Sequence, residues 1–197
     1  MEFGSVTMPV STEVERETVE RAGRGDQQAL ADIYDWYLPR VYRYVLSRVG
    51  NVVEAEDLTE DIFLRMLGAI SDYRERNIPF SAWLFRIAHN HVMSYFRKAG
   101  SRGTRDILDE AIADSRPDPA AAVEMRLTME EVVRATRDLP EAQREVIALR
   151  FAVGLSVAET AQVLGKREGN VKALQHKAVM RLQRLLGAKP GRLAAEV

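Results

Sequence analysis

Six Lys or Arg residues and no Asp or Glu lie between Val171 and Ala195. In the same segment Val171, Leu174, Ala178, Leu182 and Leu185 recur at helical spacing and form an apolar inner stripe. Lys172, Ala173, Gln175, His176 and Lys177 are left on the outer side, where cations and hydrogen-bonding groups suit phosphates and base edges. Ahead of them, Ser156 and Glu159 stand at the spacing of a capping box, in which each side chain satisfies a free backbone N–H at a helix start. Ala161 is small where two helices must cross, and Gly165 can take the positive φ that ends the first helix and reverses the chain. A short helix, a glycine turn and a second helix with a basic outer face make a helix-turn-helix, a device for placing side chains in the major groove of duplex DNA. An ordinary helical hairpin with a solvated basic face would share the spacing. Cap, glycine, period and charge together favour DNA.

A second constellation suits single-stranded nucleic acid. Arg74 to Arg105 holds seven bases against the single acid Glu75. Tyr73, Phe80, Trp83, Phe85, Tyr95 and Phe96 are interleaved with them. Cations follow a nucleic-acid backbone while aromatic walls hold an unstacked base. Trp83 and Phe85 flank Leu84 at a helix start, so at least one faces the core. Trp83 is assigned there, which leaves Tyr73 and Phe80 as the loop candidates.

Charge is segregated along the chain, although the net charge is only -1. Glu54, Glu56, Asp57, Glu60 and Asp61 crowd one half-helix without a base among them, and Asp106 to Glu124 carries six acids against Arg116. Such blocks create local fields that the net charge conceals. Acids near a helix start also favour the helix dipole, so the first block has a purely structural reading as well.

The elements that must position these groups are helices, and the fold expected is all-α. Asp26 is placed to cap a helix whose stripe is Leu30, Ile33, Tyr34, Tyr37, Val41, Val45 and Val49, with a kink expected at Pro39. A second helix is expected from about Val53 to Ile70, with Leu58, Ile62, Met66 and Ile70 inward. A third follows from about Ser81 to Lys98 through Trp83, Leu84, Ile87, Ala88, His91 and Tyr95. Periodicity then stops across Gly100 to Pro119, a polar, Pro- and Gly-interrupted stretch expected to be a flexible acidic linker. It resumes near Ala121 and leads through a helix of about Glu141 to Phe151 into the helix-turn-helix. Two small helical domains result, each with a modest core.

The 197 residues and 46% hydrophobic content fit one or two globular domains. With no cysteine, disulfides and thiolate metal sites are excluded. No apolar run approaches a membrane span and no secretory segment opens the chain, so a cytoplasmic protein without direct membrane insertion is expected. Met1 to Ser5 reads as a cloning scar, with Met8 as the native start. His89, His91 and His176 lack ligand partners at useful spacing, so neither a metal nor a cofactor is expected. Paired catalytic carboxylates, a phosphate-binding glycine loop and a Ser-His-Asp arrangement are all missing, which argues against an enzyme.

The run Phe80-Ser81-Ala82-Trp83-Leu84-Phe85-Arg86-Ile87-Ala88-His89-Asn90, followed by Tyr95-Phe96-Arg97-Lys98, resembles the promoter-melting segment of extracytoplasmic-function sigma factors. These are small two-domain members of the bacterial sigma-70 family. Leu139 to Phe151, leading into Gly154-Leu155-Ser156, resembles the start of their second domain. Ala55 to Leu64 resembles the helix with which they grip core RNA polymerase. The three motifs occur in the family's order, between about Val19 and Leu186.

The resemblance implies a domain at 13–99, a linker at 100–120 and a helix-turn-helix domain at 121–189, with a tag or irregular segment at 1–12 and a tail at 190–197. Glu54, Glu56, Asp57, Glu60, Asp61, Phe63 and Leu64 would bind the clamp helices of the polymerase largest subunit, and the flap region of polymerase is a further implied contact. Tyr73, Arg74, Arg76, Phe80, Arg86, Asn90, Arg97 and Lys98 would engage the -10 element, where a base is flipped from the non-template strand. Ser94 departs from the Asp or Asn of many relatives. Lys166, Arg167, Asn170, Lys172, Ala173, His176, Lys177 and Arg181 would engage the -35 element, with Lys172, Ala173 and His176 nearest the bases. The acidic linker would either thread the RNA-exit path or act as a tether. An anti-sigma factor is the implied regulator. A dimeric repressor or activator with the same helix-turn-helix, and a helical adaptor with incidental basic faces, are the alternatives.

Overall fold

The computed structural model describes residues 12–75, 78–99, 132 and 134–187. The expected linker, the domain boundary near 121 and both chain ends lie outside the described residues. Among those described the secondary structure is helical throughout. Helix α1 is Thr12–Gly23. Helix α2, Gln27–Val49, begins at Asp26, whose carboxylate accepts from the Gln28 and Ala29 amides at 3.0 and 3.2 Å. It continues through Pro39 and ends at Gly50, whose φ of 71° lets its amide reach the Leu46 carbonyl. Asn51 caps α3, Val52–Ala69, accepting from the Glu54 amide at 3.0 Å. A 3-10 turn at Ile70–Asp72 then leads toward α4, Phe80–Ala99.

These helices pack around Ile33, Tyr37, Val41, Tyr44, Val45, Ile62, Met66, Leu84, Phe85, Ala88 and Val92, all buried. Tyr34 departs from the expected stripe: it is 43% exposed and lies over Phe63, ring centroids 4.7 Å apart. Tyr44 takes the inward place instead, edge-on to Phe85 at 6.0 Å. It stands three residues after Val41, and a helix turn covers i+3 as readily as i+4.

In the second unit helical residues at 134–137 precede α5, Glu141–Ile147, which widens into a π-helical turn at Ala148–Ala152. The expected single α-helix to Phe151 is corrected there. Helix α6, Val157–Leu164, has the full capping box of Ser156 and Glu159 and ends at Gly165 with φ 61°. Helix α7, Glu168–Leu185, turns Val171, Ala178 and Leu182 inward. Leu185 is corrected to the outside, 47% exposed, and Leu186 packs inward instead.

The units share a core. Ala148, Leu149, Val153, Leu155 and Val163 join the same buried cluster as the residues of α1 to α4. The second unit's own clusters are small, one of Ala135, Leu139, Ala178 and Leu182 and another of Val146, Ala161 and Val171.

Candidate nucleic-acid and protein interfaces

The helix-turn-helix places its basic side chains outward. Lys166, Arg167, Asn170, Lys172, Ala173, His176, Lys177 and Arg181 are all exposed, on α7 and the turn before it. None of these cations forms an ion pair with a described residue, so their charges are uncommitted. Gln175 differs from expectation: it is half-buried and its amide oxygen accepts from Arg150 Nε at 3.0 Å. Arg150 also donates to the Leu155 carbonyl. This arginine braces the π-turn against the basic helix, and spacing within either helix gives no sign of it.

Helix α4 offers a second exposed polar face. Arg86, Asn90, Arg97 and Lys98 are exposed along it. Asn90 and Arg97 share a hollow of about 410 Å³ with Arg65, Ala69, Ile87, His91 and Ser94. Burial, and then the Arg65 charge, lower the His91 pKa. Asp61 pulls the other way, 3.2 Å from His91 Nε2. Arg65 comes from α3, so the periodicity of α4 alone does not reveal it.

At the entry to α4 the aromatic residues form a nest. Tyr73 donates to the Ile78 carbonyl at 2.9 Å and lies 5.5 Å from Phe80 and 5.0 Å from Trp83. Burial, with Glu75 adding to it, pushes its hydroxyl up to about 12. Phe80, expected as a loop wall, is only 5% exposed and closes the core beneath Tyr37. Trp83, expected inward, is half-buried at the rim. The two exchange places because Phe80 is the first residue of α4 and turns under Tyr73. Arg74 is exposed and donates to the Ser71 and Tyr73 carbonyls at 2.7 and 2.8 Å. Arg76 lies outside the described residues.

On α3, Glu54, Glu56, Asp57, Glu60 and Asp61 are exposed, as is Leu64 at 58%. Phe63 is corrected to the interior at 3% exposure, because it falls on the inward stripe one residue after Ile62. Val53 and Leu67 are exposed at 65% and 45%. Leu67, one turn beyond Leu64, extends the apolar strip beside the acids.

An acidic helix with exposed leucines, an Arg- and Asn-lined hollow and a capped helix-turn-helix therefore stand in one chain in that order. Sigma-70 region 2 matches residues 33–102, and Sigma-70, region 4 matches residues 137–184. These define the class of sigma-70 initiation factors. The ECF RNA polymerase sigma factor BldN of Streptomyces coelicolor is 42% identical over 173 residues, which are 86% of this chain and 65% of that protein. The matched segment thus spans just under two thirds of that relative's length. SigD of Mycobacterium tuberculosis, also an ECF RNA polymerase sigma factor, is 34% identical over 84% of this chain and 80% of its own. The chain belongs to the extracytoplasmic-function family of RNA polymerase sigma factors. Among solved structures it is similar to CnrH in complex with the cytosolic domain of CnrY, at TM-score 0.69 and 25% identity over 89% of this chain and 98% of that one. It is also similar to the sigma factor RpoE in complex with the anti-sigma factor NepR from Bartonella quintana, at TM-score 0.68 and 26% identity over 81% and 97%.

Proposed function

We propose that the chain binds core RNA polymerase, directs it to promoters with a -10 and a -35 element and assists melting, and that it carries out no covalent chemistry itself. Polymerase supplies the phosphoryl transfer, and the complex works in the cytoplasm. The observation that carries this reading is the uncommitted basic face of α7, set one glycine turn beyond a capped α6. A groove-reading helix needs that outer face free and its inner face anchored.

The acidic side of α3 with Leu64 and Leu67 serves as the polymerase-binding surface. Its carboxylates steer a basic partner, and its leucines supply the apolar contact. Phe63 supports that surface from beneath. Arg86, Asn90, Arg97, Lys98 and Arg74 serve the -10 strand, and the rim pair Tyr73 and Trp83 takes the wall role expected of Phe80. Lys172, Ala173 and His176 read bases at -35, while Lys166, Arg167, Asn170, Lys177 and Arg181 hold phosphates. The methyl of Ala173 allows only apolar or shape readout. The first domain occupies 13–99 and the helix-turn-helix domain 121–189. An anti-sigma factor is the regulator, a role supported by the similar sigma factor RpoE, solved in complex with the anti-sigma factor NepR. Among the described residues no helix is long and apolar enough to cross a membrane.

Footprinting of the reconstituted polymerase complex tests the reading. Protection of two separate DNA segments, with unpaired thymines in the downstream one, is the expected result. Symmetric protection of a palindrome by the chain without polymerase would instead establish the repressor.

A further inference from the structure

Arg150 ties three parts of the helix-turn-helix unit together. It stands in the π-helical turn, where the Val153 amide reaches the Ala148 carbonyl five residues back at 3.2 Å. Leu149 is buried there and Phe151 is 52% exposed, with Arg150 half-buried between them. Its Nε donates to Gln175 Oε1 in the middle of α7 at 3.0 Å. Its Nη1 donates to the Leu155 carbonyl, immediately before the Ser156 cap of α6. The guanidinium has no ion pair with a described residue, so both bonds go to neutral oxygens.

The rest of α7 is held by contacts without direction. Val171, Ala178 and Leu182 face small apolar clusters, and apolar burial is nearly indifferent to a small rotation of a helix about its own axis. Among the described residues, the Arg150 bond to Gln175 is the only side-chain hydrogen bond from α7 to another element. A hydrogen bond weakens steeply off its axis, so this one fixes the rotation that the apolar face leaves free. Gln175 lies about 60° round the helix from Lys172 and about 100° from His176. A rotation of about 15° moves an atom about 6 Å from the helix axis by about 1.5 Å. That is well beyond the tolerance of about 0.5 Å within which recognition groups must be held.

We propose that Arg150 and Gln175 are the positioning pair of -35 recognition, an inference that rests on the reading of α7 as the -35 helix. The pair sets the rotation of α7 in the groove, and with it which bases Lys172, Ala173 and His176 meet. Arginine suits the task because its planar fork holds two acceptors at once, whereas lysine carries the same charge as a single flexible point. Glutamine suits it because a half-buried side chain at position 175 must offer an oxygen to that fork.

The test uses the full chain reconstituted with core polymerase and a pool of promoter fragments randomised over the upstream element. Selectivity is read as the affinity ratio of the most enriched sequence to a scrambled one. Gln175→Leu keeps the volume and removes the acceptor. It should lower that ratio about tenfold, near the effect of one mismatched base pair, at the parent's Tm and with the parent's salt slope, because no phosphate-facing cation is lost. Arg150→Lys keeps the charge and should lower the ratio similarly, and the two together should lower it no further than either alone. Gln175→Glu returns an oxygen acceptor and should restore the parent's order of preference, at an affinity lowered for all sequences alike by its charge. Equal loss on every sequence accompanied by a fallen Tm is the mark of a merely structural contact and overturns the proposal. A parent that enriches no upstream sequence would defeat the -35 reading, and the pair's role with it. A selective parent with an equally selective Gln175→Leu variant would defeat the positioning pair alone.

Discussion

Removing two phosphate-directed cations from α7 should change the salt dependence of promoter binding by a calculable amount. Lys177 and Arg181 are exposed and unpaired with any described carboxylate. Each cation that neutralises a phosphate contributes about -0.9 to the slope of log affinity against log salt. Lys177→Ala combined with Arg181→Ala should therefore make the slope shallower by about 1.8. Between 50 and 200 mM salt the double variant should lose about twelvefold less affinity than the parent. The assay is fluorescence anisotropy of a labelled promoter fragment titrated with reconstituted polymerase complex. Other charged surfaces of the complex contribute equally to both slopes and cancel in the difference. Because the substituted side chains are at the surface, thermal unfolding should stay within about 0.5 kcal/mol of the parent. A slope difference below about 0.5, with intact folding, would refute the placement of this face against phosphates.

Ser156→Ala removes one half of the capping box and should cost about 1 kcal/mol, seen as a fall of about 2–4 °C in Tm for a chain of this size. Leu64→Glu together with Leu67→Glu should weaken association with core polymerase tenfold or more while leaving Tm unchanged, as read by competition for core; unchanged competition would remove the leucines from that surface. Burial acts to raise the Glu145 carboxyl, but the His89 hydrogen bond, the Arg48 charge and the Tyr44 hydroxyl outweigh it and hold the group below its ordinary value of 4.5. A lowered carboxyl pKa stabilises the folded form above that ordinary value, and the stabilisation is lost as pH falls through the lowered one. Acidification below 4.5 should thus destabilise the parent, whereas Glu145→Gln should lack this component; identical acid limbs in the Tm-against-pH profiles of the two chains would contradict it.

Local signals carried most of the fold. Asp26, Ser156, Glu159 and Gly165 mark helix ends through hydrogen bonds and a backbone angle confined to a few neighbouring residues, and the structure places all four as those signals require. The outward set on α7 follows from one period and one charge bias. Burial at element junctions was less legible. Phe80 and Trp83 are three residues apart, and only the packing of Tyr37 and Tyr73 decides which ring goes under. Phe63 and Leu64 are adjacent and differ because the inward stripe of α3 is two residues wide there. The pairing of Arg48 with Glu145 joins separate helical units, and no periodicity within either helix announces it. Arg65 reaches the hollow beside Asn90 for the same reason: the hollow is made by two helices and belongs to neither.

The most direct test of the central claim is run-off transcription by sigma-free core polymerase on a pool of genomic promoter fragments, with and without this chain. Discrete transcripts that require the chain, and that begin downstream of a shared two-part sequence, are the predicted result. Equal, non-specific transcription in both reactions, accompanied by tight binding of the chain alone to duplex DNA, would contradict it.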